Sequence, residues 1–222
     1  GSTMRIGIVI PARIKSTRFP NKMLAELNGV PLIKHVYDIC ASIGLETVVL
    51  TDSEEIANIV PARMTGEADN GTERCSQKAI ELGWDYYINV QGDMPDITVD
   101  IISEMVKHVP EYHVLTAYTE MNQVDRASPD SVKLIHNGNK AKWFCRASLE
   151  YGDHHLGIYG YSRAALMEYS NLTKTKEEDI EKLEQLRWLQ NNIDIGVIKV
   201  DFNGIEINTP EDLDKWHKQN SQ

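Results

Sequence analysis

Residues 5–60 read RIGIVIPARIKSTRFPNKMLAELNGVPLIKHVYDICASIGLETVVLTDSEEIANIV, and this stretch decides the fold. It opens on a β-branched run, Arg5 to Ile10, that predicts a strand ending at Pro11. A polar, basic loop follows. From Pro31 to Gly44 the apolar residues fall at Leu32, Ile33, Val36, Ile39 and Cys40, the spacing of one helix face. Pro31 suits the first helical position and Gly44 the C-terminal stop. Glu46 to Leu50 reads as a second strand, and Ser53 as the cap of a short helix reaching Val60. Strand, loop, helix, strand and helix in that order imply a parallel sheet wrapped by helices, an α/β fold.

Downstream, Thr72 to Leu82 is expected to be helical. Tyr86 to Val90 (YYINV) reads as a buried strand ending at Gln91-Gly92-Asp93. Ligands of open α/β sheets gather beyond the carboxyl ends of the strands, where both the basic loop and this turn would lie. The second half changes character. His113 to Thr119, Val132 to Asn137, Ala141 to Ala147 and Gly157 to Ser162 are closely spaced strand-like runs, which imply a smaller antiparallel layer on or beside the parallel sheet. Lys176 to Gln190 has Ile180, Leu183, Leu186 and Leu189 at helical spacing and predicts one amphipathic helix. Ile195 to Val200 reads as the last strand. Thr209-Pro210-Glu211-Asp212 has the form of a capped helix start, which accounts for Glu211 and Asp212 without a metal.

The chain has 222 residues, enough to bury a core without staples. Its 23 basic and 33 acidic residues give a net charge of −10, which argues against nucleic acid and anionic membrane as partners. A small anion is still possible, because a local basic cluster can sit in an acidic protein. The three cysteines, Cys40, Cys75 and Cys145, are widely spaced and read as reduced thiols of a cytoplasmic protein. No run approaches the ~20 apolar residues of a membrane helix. Gly1 to Thr3 ahead of Met4 read as a cloning scar. Residues 4–222 are expected to form one domain, with 111–165 as a substrate or oligomer layer.

The loop Pro11 to Leu24 carries Arg13, Lys15, Arg18 and Lys22 within ten residues, together with Ser16 and Thr17. Cations, hydroxyls and backbone N–H groups are what phosphate recognition uses. A solvated basic loop is the plain alternative. Concentrated like charge in an acidic protein, however, repels itself unless an anion binds. The spacing matches neither a Walker loop nor a dinucleotide fingerprint. Asp93, at a strand end facing this loop, is placed to hold Mg2+, which takes few protein carboxylates and completes its shell with phosphate oxygens. An Asp in an ordinary tight turn is the alternative. Of His154 and His155, one is expected to contact substrate.

PARIKSTRFPNKML (11–24) resembles the signature loop of cytidylyltransferases that activate 3-deoxy-sugar acids. LTDSEEIA, NGTERC, INVQGDMPDI, SPDSVKLI, WFCRAS, HLGIYGY, DIEKLEQLRWL and NTPEDL follow in the order of that family's blocks. The loop is shared with other nucleotide-sugar synthetases. HLGIYGY with LEQLR is more specific, and resembles the 3-deoxy-manno-octulosonate (Kdo) cytidylyltransferase, or CMP-Kdo synthetase, family. The resemblance implies a nucleotide-diphospho-sugar transferase-like fold, CTP and a 3-deoxy-sugar acid as substrates, Mg2+ as cofactor, and a homodimer.

It also implies roles. Arg13, Lys22 and Asp93 would be catalytic. Ala12, Arg13, Ser16, Thr17, Arg18, Lys22, Met64, Thr65, Gly66 and Gln91 would bind nucleotide. Arg74, Gln91, Arg146, His155, Tyr159, Glu184 and Gln185 would line the sugar-acid pocket. Asp93 and Asn208 would bind Mg2+. Three departures stand out. Asn208 replaces a family Asp, Met94 replaces a Glu, and roughly twenty residues are missing between Arg146 and His155, a shortening that costs little in loop closure. A weakened nucleotide-binding relative, or a transferase for another acid such as 8-amino-Kdo, are the competing expectations.

Overall fold

The computed structural model describes residues 3–221. β1 (Ile6–Ala12) leads through the basic loop and a 3₁₀ turn over Lys22–Leu24 into a small hairpin, β2 (Glu26–Leu27) and β3 (Val30–Pro31). Its turn is Asn28-Gly29, with φ of 52° and 85°. Two successive positive φ values form the type I′ turn that Asn-Gly favours. There follow α1 (Leu32–Ala41), β4 (Glu46–Thr51), α2 (Glu54–Ala57), β5 (Ala62–Met64), α3 (Gly71–Ser76), α4 (Ala79–Leu82), β6 (Tyr86–Val90) and α5 (Val99–Lys107). The second half supplies β7 (Val114–Thr119), α6 (Gln123–Ala127), β8 (Lys133–His136), β9 (Ala141–Cys145), β10 (Asp153–Ser162), α7 (Arg163–Tyr169), α8 (Lys176–Glu181), α9 (Leu186–Gln190), β11 (Gly196–Lys199) and α10 (Pro210–Asn220).

The main sheet has the order β11-β7-β10-β6-β1-β4-β5. Pairings β6–β1, β1–β4, β4–β5 and β11–β7 are parallel, and β10 runs antiparallel between β6 and β7. β8 and β9 continue antiparallel from the start of β10, so the antiparallel layer joins the main sheet rather than lying apart from it. Side chains alternate across the sheet. Ile8, Ile10, Tyr86, Ile88 and Val90 pack on one face with α1 and α5, and Val9, Tyr87, Tyr159 and Tyr161 on the other with α7 and α9. The carboxyl ends of β1, β4, β5 and β6 therefore share one edge.

The structure revises several element boundaries. β1 runs through Pro11 to Ala12; its ladder with β6 stops at Val9, leaving a free edge where a residue lacking N–H is tolerated. Pro31 is the N-cap of α1, one place earlier than expected, and Gly44 follows with φ 93°. The helix expected over Thr72 to Leu82 breaks into α3 and α4 at Gln77 and Lys78.

The helix expected over Lys176 to Gln190 also breaks, at Lys182 with φ 54°. Ile180 is 74% exposed, so it does not share the buried face of Leu183 and Leu186. The fold instead buries Glu178 and Arg187 against each other, in a bidentate pair at 2.9 and 2.7 Å with the guanidinium over the Tyr169 ring. Thr209 caps α10 with a reciprocal bond from Asp212, as expected. Met94 is buried in the core, which explains an apolar residue where the resemblance expects an acid.

Candidate active site

Arg13, Lys15 and Arg18 extend from the end of β1 and are exposed. Asp52, at the end of β4, pins the loop by accepting from the Ile14 N–H at 3.3 Å. Among the described residues, Arg13 and Lys15 pair with no carboxylate, and Arg18 reaches Asp130 only at 3.8 Å. Ser16 is half-buried and Thr17 exposed. The loop ends on the 3₁₀ turn, where the Lys22 Nζ meets Asp93 Oδ2 at 3.1 Å, with the two side chains 13% and 22% exposed. A basic loop and an acidic turn separated by 71 residues thus meet at one sheet edge. The approach is close: a Cβ on Gly92 would lie 2.9 Å from Met23 Sδ.

On the β5 side, Met64, Thr65 and Gly66 form an exposed to half-buried segment. Thr65 N–H donates to Thr51 O, and Gly66 N–H to Gln77 Oε1. Arg74 was expected in the sugar pocket. Its buried guanidinium instead donates to Thr65 Oγ1 at 2.6 Å and to Gly66 O at 3.1 Å, and lies 4.0 Å from Asp52. It braces the segment beside the loop.

Between the two sides runs a chain of buried and half-buried polar groups. Gln91 Nε2 donates to Asn89 Oδ1 at 3.3 Å, and Asn89 Nδ2 donates to the Tyr161 hydroxyl at 2.7 Å. That hydroxyl meets Thr72 Oγ1 at 2.7 Å, and Thr72 Oγ1 donates to Glu184 Oε1 at 3.0 Å. Burial raises the Glu184 carboxyl above its usual range, while the Thr72 bonds oppose the rise. The Tyr159 hydroxyl donates to Gln185 Oε1 at 3.0 Å, leaving the buried Gln185 Nε2 without a partner. A donor shut away like this is costly unless a ligand or water reaches it. A β-bulge between Leu156 and Tyr159 brings Gly157 against the Gln91 side chain, where a Cβ would approach to 3.3 Å.

His155 lies deeper than its expected substrate-contacting role suggests. It is 6% exposed, and burial pushes its imidazole down to about 3. Its Nε2 lies 2.8 Å from Thr116 Oγ1, and that hydroxyl donates to Ile158 O at 2.7 Å. With the hydroxyl proton engaged there, Nε2 carries the proton between them, and the ring stays neutral. Arg146, at the end of β9, donates through Nε to Glu181 O at 2.8 Å and through Nη1 to Asp130 O at 3.3 Å. No carboxylate neutralises its guanidinium directly among the described residues.

The C-terminal segment crosses the same edge. Ile207 N–H donates to Asp93 O and Ile205 N–H to Asp96 Oδ2, both at 2.8 Å. This places half-buried Asn208 and Glu206 beside the acidic turn. Burial, then the neighbouring Asp93 carboxylate, push Glu206 up to about 8, against the pull of Lys22 and Arg146. Asp212 is not free, since its Oδ2 accepts from the Asn208 and Thr209 N–H groups.

Oxygen donors alone are available for a cation here: Asp93, Glu206 and the Asn208 amide oxygen. No group of three or more His, Cys, Asp or Glu is placed to hold a metal among the described residues. Mg2+ needs no such group where phosphate and water complete its shell, so this donor set fits it.

The sequence reading missed Glu206, Asp52, Asn89, Thr72 and Tyr161. Ile205-Glu206-Ile207 carried a usable signal, an acid between two aliphatics in an extended run. The others gave none, because their roles depend on partners between 38 and 112 residues away.

This architecture is that of nucleotidyltransferases. A solved structure of CMP:2-keto-3-deoxy-manno-octonic acid synthetase complexed with CTP matches it with a TM-score of 0.89 and 32% identity, covering 97% of this chain and 98% of that one. A 3-deoxy-manno-octulosonate cytidylyltransferase from a Nitratiruptor species is 36% identical over 94% of this chain and 97% of its own length. An 8-amino-3,8-dideoxy-manno-octulosonate cytidylyltransferase from Shewanella halifaxensis is 37% identical over 95% and 96%. The sequence profile of the cytidylyltransferases matches residues 7–195, and the chain belongs to that family.

Proposed function

We propose that this protein transfers CMP from CTP to the anomeric hydroxyl of a 3-deoxy-sugar acid, Kdo or its 8-amino analogue, and releases pyrophosphate. The observation that carries the reading is the basic loop, with Arg13 and Lys15 unpaired among the described residues, held opposite Asp93 by the Lys22 contact. Arg13, Lys22 and Arg18, with Ser16, Thr17 and the backbone after Ala12, would hold the triphosphate and the leaving pyrophosphate. Met64, Thr65 and Gly66, braced by Arg74, would read the base. The anomeric oxygen would attack the α-phosphorus, the bond to the pyrophosphate oxygen would break, and the hydroxyl proton would pass to solvent water. Such chemistry is mostly positioning and charge neutralisation.

Gln91, fixed by Asn89, would orient the reacting groups. Glu184, Gln185 and Tyr159 would meet the sugar's hydroxyls, with Gln185 Nε2 offering its free donor. The uncommitted edge of the Arg146 guanidinium would meet the sugar's carboxylate. His155, buried and neutral, would shape this wall through Thr116. Asp93, with Glu206 and Asn208 near it, would hold Mg2+, which when bound supplies charge neutralisation at the phosphates.

Pyrophosphate release measured across CTP, UTP, ATP and GTP, with Kdo and 8-amino-Kdo, tests the reading. CTP with one of the acids should give turnover, and CTP binding without turnover on either acid would refute it. Asn208 favours a second reading, a weakened relative; in that case Asn208→Asp should raise turnover sharply. A cytoplasmic homodimer is proposed as well. All three cysteines are free and buried, and no described helix is long and apolar enough to cross a membrane. Light scattering at graded concentrations tests the dimer.

A further inference from the structure

We propose that Glu206, displaced by two residues from Asn208, is the second carboxylate that faces Asp93 across the cation position. The inference rests on the Mg2+-dependent reading above, and four observations carry it. The segment is fixed against the acidic turn by the bonds from Ile207 to Asp93 and from Ile205 to Asp96. Its approach leaves no room for a side chain at Gly204, where a Cβ would lie 2.2 Å from Asp96 Cβ. Ile205 and Ile207 are 8% and 0% exposed while Glu206 and Asn208 are half-buried, an alternation that sets residues 206 and 208 together on the face opposite the two isoleucines.

The other acids nearby are engaged. Asp212 caps α10 with two N–H bonds, and Asp96 accepts from Ile205 N–H and Trp216 Nε1. Asp93 has Lys22, whereas Glu206 has no ion pair or hydrogen bond among the described residues. Asp93, held by Lys22, and Glu206, whose neighbour Ile207 is hydrogen-bonded to the Asp93 backbone, put two oxygen donors at one sheet edge, a set that suits a hard divalent cation. An acid at 206 restores the charge that Asn208 lacks, from the same face of the same segment.

The test titrates Mn2+, as the EPR-visible stand-in for Mg2+, into wild type, D93N, E206Q and N208A without nucleotide. Thermal unfolding is followed in parallel. Wild type should bind. D93N and E206Q should each weaken binding by about tenfold or more, and N208A by less than about threefold. Metal-free E206Q should unfold no earlier than wild type, because the Glu206 carboxylate makes no hydrogen bond or ion pair among the described residues that the change would break, and Mg2+ should raise its unfolding temperature less than it raises that of wild type. If E206Q binds Mn2+ like wild type while D93N does not, Glu206 is not a ligand, but the reading of Asp93 stands. If wild type binds no Mn2+, or D93N binds undiminished, the cation reading falls and takes the proposal with it. An E206Q protein that unfolds earlier than wild type assigns the carboxylate a structural role and also overturns the proposal.

Discussion

Replacing Lys22 with Met separates structural from chemical roles at the loop. In the free protein the Lys22 Nζ lies 3.1 Å from Asp93 Oδ2, with both side chains mostly shielded. At an effective dielectric constant of about 20, that separation gives an attraction of about 5 kcal/mol. Desolvation and lost side-chain freedom cancel most of it, leaving about 1–2 kcal/mol of folding stability for a charge-assisted bond. The methionine keeps the packing of the aliphatic stem and removes only the charge. In the reaction the same ammonium would neutralise charge on the leaving pyrophosphate, and loss of one such group costs about 100- to 1000-fold in kcat. The assay is pyrophosphate release at saturating CTP, with urea unfolding on the same preparation. K22M should lose about 1–2 kcal/mol of stability and at least about 100-fold in kcat, a drop far too large for partial unfolding to explain. A folded K22M with kcat within about threefold of wild type would refute the assignment of Lys22 to the transition state.

Three further outcomes follow from the geometry. Glu178→Gln breaks the buried pair with Arg187, and urea unfolding should show a loss of about 3–5 kcal/mol. Thr72→Val removes the hydroxyl between Tyr161 and Glu184; it should cost about 2 kcal/mol in stability and raise KM for the sugar acid more than KM for CTP in steady-state assays. Burial, with the neighbouring His154 and Arg146, pushes the His155 imidazole down to about 3 from its ordinary 6.5, so below pH 6.5 the unfolded chain takes up a proton that the folded chain refuses. The stability this group contributes is complete above pH 6.5 and drains by about 1.4 kcal/mol per unit as pH falls toward 3, about 2 kcal/mol by pH 5. Unfolding free energies of H155Q between pH 5 and 7 should show a correspondingly flatter slope.

Local patterns translated well where a side chain's partner was the backbone close to it. The caps at Ser53 and Thr209, the strand Tyr86–Val90 and the left-handed Gly44 all follow from nearest-neighbour chemistry. Asn28-Gly29 was legible by the same rule and went unread. Periodicity misled in Lys176 to Gln190, because it takes every buried residue to be apolar. Glu178 and Arg187 are buried because they satisfy each other, and the turn at Lys182 lets them meet. Arg74 and His155 show the same limit within the site. Their chemistry was visible, but which neighbours would claim their hydrogen bonds was not.

The sequence by itself determined the alternation of strands and helices, and with it the sheet edge where ligands collect. It also determined the cationic loop at that edge, because charge density and β-periodicity are properties of consecutive residues. Tertiary structure alone decided that Lys22 meets Asp93, that Arg74 braces Gly66, and that Glu206 stands beside the acidic turn while Asp212 is consumed as a cap. The physical reason is that ion pairs, burial and competition for hydrogen bonds depend on distance in space, and the chain sets those distances only once the sheet has brought its carboxyl ends together.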